Sequence, residues 1–137
     1  MDKLLEEKLA KLEQRFEILP TKGRSVPLYA DVDPLDVVKV EEYSPVDGRI
    51  RQLTVAWPDG CNFLVLVGFG RGNDIWVAPG IPNYYDRYND VTISYPLDEP
   101  IGKGEALWLI IRNGDNVNNH QISATVTVVE HIKTEAL

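Results

Sequence analysis

The sequence has few of the residues that carry chemistry. Among 137 residues it contains one cysteine, Cys61, and two histidines, His120 and His131. One cysteine permits neither a disulfide within the chain nor a thiolate metal cluster, and two histidines supply few imidazole ligands for a zinc or cupin-type centre. The motifs Gly-x-Ser-x-Gly and His-Glu-x-x-His are absent, so hydrolase and metalloprotease mechanisms have no sequence support. We therefore expect a protein that is not an enzyme, with no catalytic residue, cofactor or metal ion.

Positive charge and long apolar runs are also scarce. The chain has 21 acidic and 14 basic residues, a net charge of -7, which repels nucleic acid and anionic lipid. No stretch approaches the roughly 20 apolar residues that span a bilayer, and the charged start, with Asp2, Glu6 and Glu7, does not suit a signal peptide. These features predict a soluble protein of the cytoplasm or of an assembled particle outside the cell, without nucleic-acid or membrane partners.

Before Pro20 the apolar residues repeat with the period of a coiled coil. Spacings of four and three separate Leu5, Leu9, Leu12, Phe16 and Leu19. We predict an amphipathic helix over 1–19 that ends at Pro20 and associates with copies of the same chain, with a trimer favoured. The alternatives are packing on its own domain and docking on another protein. Because so short a helix is marginal alone, self-association also requires contact between the globular domains.

The rest of the chain changes to an alternating pattern. Residues 20–35, with Pro20, Pro27 and Pro34, predict a stiff linker that can add an edge strand. Residues 36–137 predict about seven strands closed by turns such as Asp47-Gly48 and Asp59-Gly60, which we interpret as hairpin turns. The fold expected is therefore all-β: a two-sheet antiparallel β-sandwich, jelly-roll-like or immunoglobulin-like, preceded by the short α-helix.

A glycine-rich segment, Gly68-Phe69-Gly70-Arg71-Gly72, superficially resembles a phosphate-binding loop. It lacks the Gly-Lys-Ser/Thr ending, and no helical pattern follows it. We interpret it as the flexible end of the apolar strand that begins at Phe63, which we expect to lie centrally in its sheet or to be covered on both faces. Similarly, we interpret Cys61 as a small buried residue rather than a nucleophile. Core positions are expected for Trp57, Trp76 and Trp108.

Two loops contain candidate binding residues. The first loop contains Tyr84, Tyr85, Arg87 and Tyr88, a mixture that is typical of protein interfaces and sugar-stacking surfaces; the alternative is a loop packed on the sandwich edge. The second contains Asp115, Asn116, Asn118 and His120, oxygen donors that could bind calcium or a sugar hydroxyl. For the second loop a polar turn that bonds its own backbone is favoured, since no Asp-x-Asp-x-Asp-Gly pattern occurs.

The order of these segments resembles that of trimeric accessory proteins of tailed viruses, of the head-decoration, head-fibre and neck-adaptor types. The resemblance is carried by the heptad from Leu5 to Leu19 and the β pattern from Val37 to Val128, and it is architectural, without a shared motif. It implies a non-catalytic homotrimer that decorates or attaches to a viral capsid or a similar large particle. The alternative function is a carbohydrate- or protein-binding β-sandwich module.

Overall fold

A computed structural model describes residues 23–80 and 82–131. Within these ranges there are eight β-strands and no helix. The strands are β1 (Gly23–Val32), β2 (Val37–Tyr43), β3 (Gly48–Trp57), β4 (Val65–Arg71), β5 (Ile75–Ala78), β6 (Val91–Ile101), β7 (Ala106–Asn113) and β8 (His120–Glu130). The helix predicted over 1–19, with its seam of Leu5, Leu9, Leu12, Phe16 and Leu19, lies outside the described residues.

The strands form two four-stranded sheets. The first sheet has the order β1-β8-β3-β6 and the second has the order β2-β7-β4-β5. All neighbouring strands are antiparallel, and apolar side chains from both sheets form one buried core between them. The prediction of an all-β, two-sheet antiparallel architecture is confirmed.

The two turns predicted as hairpins are connections between the sheets. β2 and β4 belong to the second sheet, whereas β3, which lies between them in sequence, belongs to the first. Gly60 has the expected positive φ of 101°, but Gly48 does not and begins β3. The hairpin prediction is therefore wrong at both turns. Turn residues mark where a chain reverses, while burial of apolar faces decides which strand it pairs with next.

Residues 23–32, assigned above to the linker, form β1 at the edge of the first sheet. β1 pairs with β8 from Gly23 opposite Val129 to Val32 opposite His120. Its alternate residues Val26, Leu28, Ala30 and Val32 are buried. The predicted edge strand is confirmed, and the sandwich begins upstream of the predicted boundary at residue 36. Pro27 made this segment resemble a linker, yet proline is tolerated in an edge strand.

The glycine-rich segment is an ordered part of β4, which lies between β7 and β5 as expected. A Cβ added at Gly68 would clash with the ring of Trp76, and one added at Gly70 would clash with the ring of Trp108. The missing side chains make room for two indoles on the outer face of the second sheet, so close packing accounts for Gly68 and Gly70, while the flexibility of this strand end stays a prediction. Of the three tryptophans predicted to be core residues, Trp57 lies in the core between the sheets, whereas Trp76 and Trp108 pack edge-on against each other outside it.

Candidate functional site

The sandwich has two chemically different ends. At one end, which we call the terminal end, the described chain enters at Gly23 and leaves after Glu130; the two strands pair side by side there. The opposite end, which we call the loop end, carries the connections β1–β2, β3–β4, β5–β6 and β7–β8. Both loops that the sequence identifies as candidates lie at the loop end, so the fold brings them together.

Backbone hydrogen bonds join three of these connections. The Leu35 amide donates to the carbonyl of Asp115 over 3.1 Å, and the Gly114 amide donates to the carbonyl of Leu64 over 2.8 Å. The β7–β8 connection thus holds the β1–β2 connection on one side and the β3–β4 connection on the other. The loop end is one connected surface rather than a set of independent loops.

The tyrosine-containing β5–β6 connection is fixed to the sandwich through Asp86. Its backbone exchanges two hydrogen bonds with Val67, of 2.9 and 3.1 Å, and its carboxylate accepts a hydrogen bond from the hydroxyl of Tyr95. Burial, together with this carboxylate, raises the pKa of Tyr95 well above its ordinary value, so the phenol remains a donor. The Asn89 side chain accepts hydrogen bonds from the amides of Gly60 and Asn62, which ties this connection to β3–β4.

The four predicted residues of the tyrosine loop have different environments. Tyr88 packs edge-on against Trp57, with 5.1 Å between ring centroids, and closes the core. Tyr85 packs edge-on against Trp76 at 5.3 Å, with the guanidinium of Arg112 over its ring. Tyr84 is 54% exposed, and Arg87 is also exposed. Two of the four therefore pack on the sandwich, while Tyr84 and Arg87 face solvent.

The second candidate loop is built around a buried, hydrogen-bonded pair of side chains. Asp115 and His120 are each 8% exposed, and His120 Nε2 lies 2.9 Å from Asp115 Oδ2. The other carboxylate oxygen accepts hydrogen bonds from the amides of Val117 and Asn118. The hydrogen bond with His120, followed by that from Val117, lowers the pKa of Asp115 to about 2. This carboxylate is hydrogen-bonded within its own loop, as expected for the polar turn that the sequence favours, while Asn116 and Asn118 are exposed.

Asp115→Asn is expected to lower the melting temperature at pH 7 and to flatten the acid dependence of stability. Because the pKa of Asp115 is depressed in the folded state, its ionised form stabilises the fold above about pH 4. That contribution is lost as the pH falls through about 2. Thermal unfolding between pH 7 and pH 2 measures both effects. The exposed Asp90→Asn serves as the control, and equal acid profiles for wild type and Asp115→Asn would contradict the expectation.

Cys61 is fully buried. Burial, followed by the charges of Asp115 and Asp59, raises the pKa of its thiol. A thiol that remains protonated is a poor nucleophile, so its environment is that of a small apolar core residue. Across residues 23–80 and 82–131, no three or more histidine, cysteine, aspartate or glutamate side chains come together as a metal site.

Apolar side chains at the loop tips were missed by sequence reasoning. Leu35 is 67% exposed, Phe63 58%, Leu64 42% and Val117 74%. Leu35 and Phe63 also have left-handed φ values of 60° and 63°, which cost bulky residues conformational energy and persist only where the surroundings fix them. Their signal in the sequence is an apolar residue between turn formers, as in Asp33-Pro34-Leu35-Asp36 and Asn116-Val117-Asn118.

The loop end also carries negative charge. Four exposed aspartates belong to three of its connections: Asp33, Asp36, Asp59 and Asp90. Arg87 is the exposed basic residue of the β5–β6 connection. A surface that combines protruding apolar groups with negative charge is suited to a protein partner that has apolar pockets and basic residues at its edge.

A small cavity lies between the two sheets. It is lined by apolar residues and Tyr95 and has a volume of about 10 Å³, room for about one water molecule. Small-molecule ligands need several hundred cubic ångströms, so this cavity does not hold one. Within the described residues, a binding site is therefore expected on the protein surface rather than between the sheets.

The chain was compared with known proteins. No family model and no curated protein matches it. Solved structures similar to it include a mitogen from Yersinia pseudotuberculosis, 11% identical, with a TM-score of 0.44, over 83% of this chain and 93% of the mitogen. The cyanophage Pam1 capsid is 13% identical, with a TM-score of 0.44, over 80% of this chain and 86% of that one.

A third similar structure is an exo-β-1,3-galactanase from Phanerochaete chrysosporium bound to galactose. It is 13% identical, with a TM-score of 0.38, over 77% of this chain and 29% of the galactanase. No TM-score among these three reaches 0.5, so the function has to be derived from the chain's own residues. No helix of the described part is long and apolar enough to cross a membrane.

Proposed function

We propose that this chain is a non-catalytic structural protein that self-associates and attaches to a larger particle, such as a viral capsid, through the loop end. The observation that carries the proposal is that the exposed apolar side chains of the sandwich are concentrated at one of its two ends. Seven of its exposed large apolar side chains belong to the loop end or to strand residues next to it: Leu35, Val37, Phe63, Leu64, Tyr84, Val91 and Val117. The described chain enters and leaves at the opposite end, which leaves those tips free to dock.

We also infer jelly-roll connectivity for the sandwich. The paired strands are β1 with β8, β2 with β7, β3 with β6 and β4 with β5. This nested pairing is that of one long hairpin whose two arms fold together over two sheets. It matches the eight-stranded double Greek key of viral capsid and lectin domains better than the immunoglobulin order.

The position of Gly23 favours self-association over packing of the seam on its own domain. The seam of Leu5, Leu9, Leu12, Phe16 and Leu19 precedes Gly23, which lies at the terminal end. Within residues 23–80 and 82–131, the large apolar side chains exposed near that end are Tyr43 and Ile75, a small target for an amphipathic stripe. Copies of the same seam offer a matching apolar surface, and we propose a homotrimer.

Native mass measurements on the full chain test self-association. Wild type is expected to be a trimer, and Leu12→Asp is expected to dissociate it, because a buried unpaired charge in a seam is strongly unfavourable. Lys11→Asp, outside the seam, is the matched control and is expected to remain assembled. A chain that is monomeric at every concentration would overturn the proposal.

Particle attachment is tested separately at the loop end. Wild-type protein is expected to co-sediment with purified particles that carry it. The double variant Phe63→Asn, Val117→Asp is expected to bind them at least about 100-fold more weakly, the loss expected when two hot-spot residues are removed. Asparagine tolerates left-handed φ, so the fold is retained. Tyr43→Asn at the terminal end is the control. Undiminished co-sedimentation of the double variant would contradict docking through the loop end.

A carbohydrate-binding module is the second candidate function. The observation in its favour is the exposed ring of Tyr84 on the same loop end as Asn116 and Asn118, since sugars stack on aromatic faces and bind amide groups. Binding to a panel of glycans that is lost in Tyr84→Ala, while the control Tyr43→Ala retains it, would favour this function over particle attachment.

A further inference from the structure

The outer face of the first sheet is free of charge over most of its area. One row across its four strands consists of Pro27, Thr125, Thr54 and Ser94. Neighbouring rows contain only serine, threonine, glutamine, alanine, proline and the exposed Tyr29. Charged residues make up 26% of the chain, and none falls in segments 25–29, 52–56, 92–96 and 121–127. We call this surface the neutral face.

Charge appears only where the neutral face ends. Towards the loop end Asp31 accepts a hydrogen bond from the side chain of Asn119. Towards the terminal end Arg49 and Arg51 both pair with Asp98. The cores of protein interfaces are depleted of charge in the same way, with polar groups at the rim.

Both edges of the first sheet are closed to strand addition. β1 and β6 are its edge strands, and they contain Pro27 in β1 and Pro96 and Pro100 in β6. Each proline removes an N–H that an added strand would need. A contact between copies of the first sheet therefore uses its face rather than its edge.

We propose that the neutral face is the surface through which copies of this chain contact one another. The inference rests on the self-association proposed above and names its surface within the sandwich. Residues 1–22, which include the predicted seam, lead directly into β1 of the first sheet at Gly23. Association of the seams would bring the first sheets of the copies close together and raise the effective concentration of each neutral face for the neighbouring copies.

The dimensions of the face make it a secondary contact. Its uncharged segments are five residues long on three strands and seven on β8, so the face covers about 17 by 19 Å, roughly 320 Å² on each copy or about 650 Å² in a contact. This is below the roughly 1,200 Å² of a stable interface. Because serine and threonine hydroxyls lose water when they are buried, the face is weak alone and depends on the seam. Tyr29, 55% exposed beside Ser123, is its aromatic anchor.

Electrostatic repulsion between copies favours contact at the neutral face over contact elsewhere. Each chain has a net charge of -7, so copies repel one another over most of their surface. At the loop end, aspartates of one copy would face aspartates of the next. The neutral face is where two copies can approach with the least repulsion, which favours a second copy as its occupant.

Cysteine placement in the full chain tests the contact. Cys61 is buried, so Thr125→Cys, at the centre of the face, becomes the reactive thiol for a short bismaleimide. We expect crosslinked chains with Thr125→Cys and at least tenfold fewer with Asn73→Cys, an exposed position in the β4–β5 connection. An oligomer by native mass that does not crosslink through position 125 would overturn the neutral face alone. A monomer by mass would instead overturn self-association itself.

A second measurement uses charge. Ser123→Glu is expected to weaken assembly at least tenfold by sedimentation, because it places like charges opposite one another, while Asn73→Glu leaves assembly unchanged. Thermal unfolding of both variants separates loss of contact from loss of folding. Assembly of a folded Ser123→Glu with wild-type affinity would count against the neutral face, and selective weakening supports it.

Discussion

Replacing Gly48 with alanine is expected to destabilise the sandwich by about 3 kcal/mol or more, the upper part of the range for overpacking. A Cβ at this position would overlap the carbonyl oxygen of Val129 and lie 2.8 Å from its carbonyl carbon. Val129 cannot move aside, because β8 is paired with both β1 and β3. Urea unfolding of wild type and Gly48→Ala measures the difference.

Substitution by asparagine tests whether position 48 needs glycine for close packing or for a left-handed backbone conformation. Gly48 does not have a positive φ, so Gly48→Asn is expected to be at least as destabilising as Gly48→Ala. Gly104 has a φ of 81° and no atom within 4 Å of an added Cβ, so Gly104→Asn is expected to cost less than about 1 kcal/mol. If Asn restored stability at position 48, the packing explanation would be incorrect.

Trp57→Ala is expected to destabilise the protein by about 3–5 kcal/mol, as for other buried aromatic residues, and to lower the melting temperature by about 10 °C or more. The indole is 2% exposed, and its N–H donates to the carbonyl of Val65 over 3.0 Å. Since Tyr88 packs on the same ring, the tyrosine-containing connection also loses its support. Calorimetry measures the loss of stability.

Trp57→Phe isolates the hydrogen bond from the packing. Phenylalanine keeps most of the apolar volume but cannot donate to the Val65 carbonyl, which costs about 1–3 kcal/mol when the group is left buried and unpaired. We therefore expect Trp57→Phe to lie between wild type and Trp57→Ala. Equal stability of Trp57→Phe and Trp57→Ala would show that the packing contribution is small.

Strands could be predicted from the sequence where alternation is clean. β8, His120–Glu130, is such a strand, because one of its faces is buried and its apolar residues recur with period two. Strand pairing could not be predicted, since the same turn residues serve a hairpin and a crossing between sheets. β1 was assigned to the linker because Pro27 concealed its alternation.

The candidate site was predicted only in outline. The loops of Tyr84 and Asp115 were identified, and they lie at one end of the fold. Burial of His120 against Asp115 depends on the packing of β8 beside β1, which no local pattern reveals. The left-handed φ of Leu35 accompanies a tertiary hydrogen bond from its amide to the Asp115 carbonyl, and so was not predictable from the local sequence.

The pairing of β1 with β8 constrains how the protein is made. β1 is synthesised before the other strands of the sandwich, but its partner β8 ends at Glu130. β1 therefore cannot form its native pairing until nearly the whole sandwich has been synthesised. Such distant pairing slows folding, and a waiting strand can join another nascent chain. Proline at position 27 reduces that risk by interrupting its row of N–H donors.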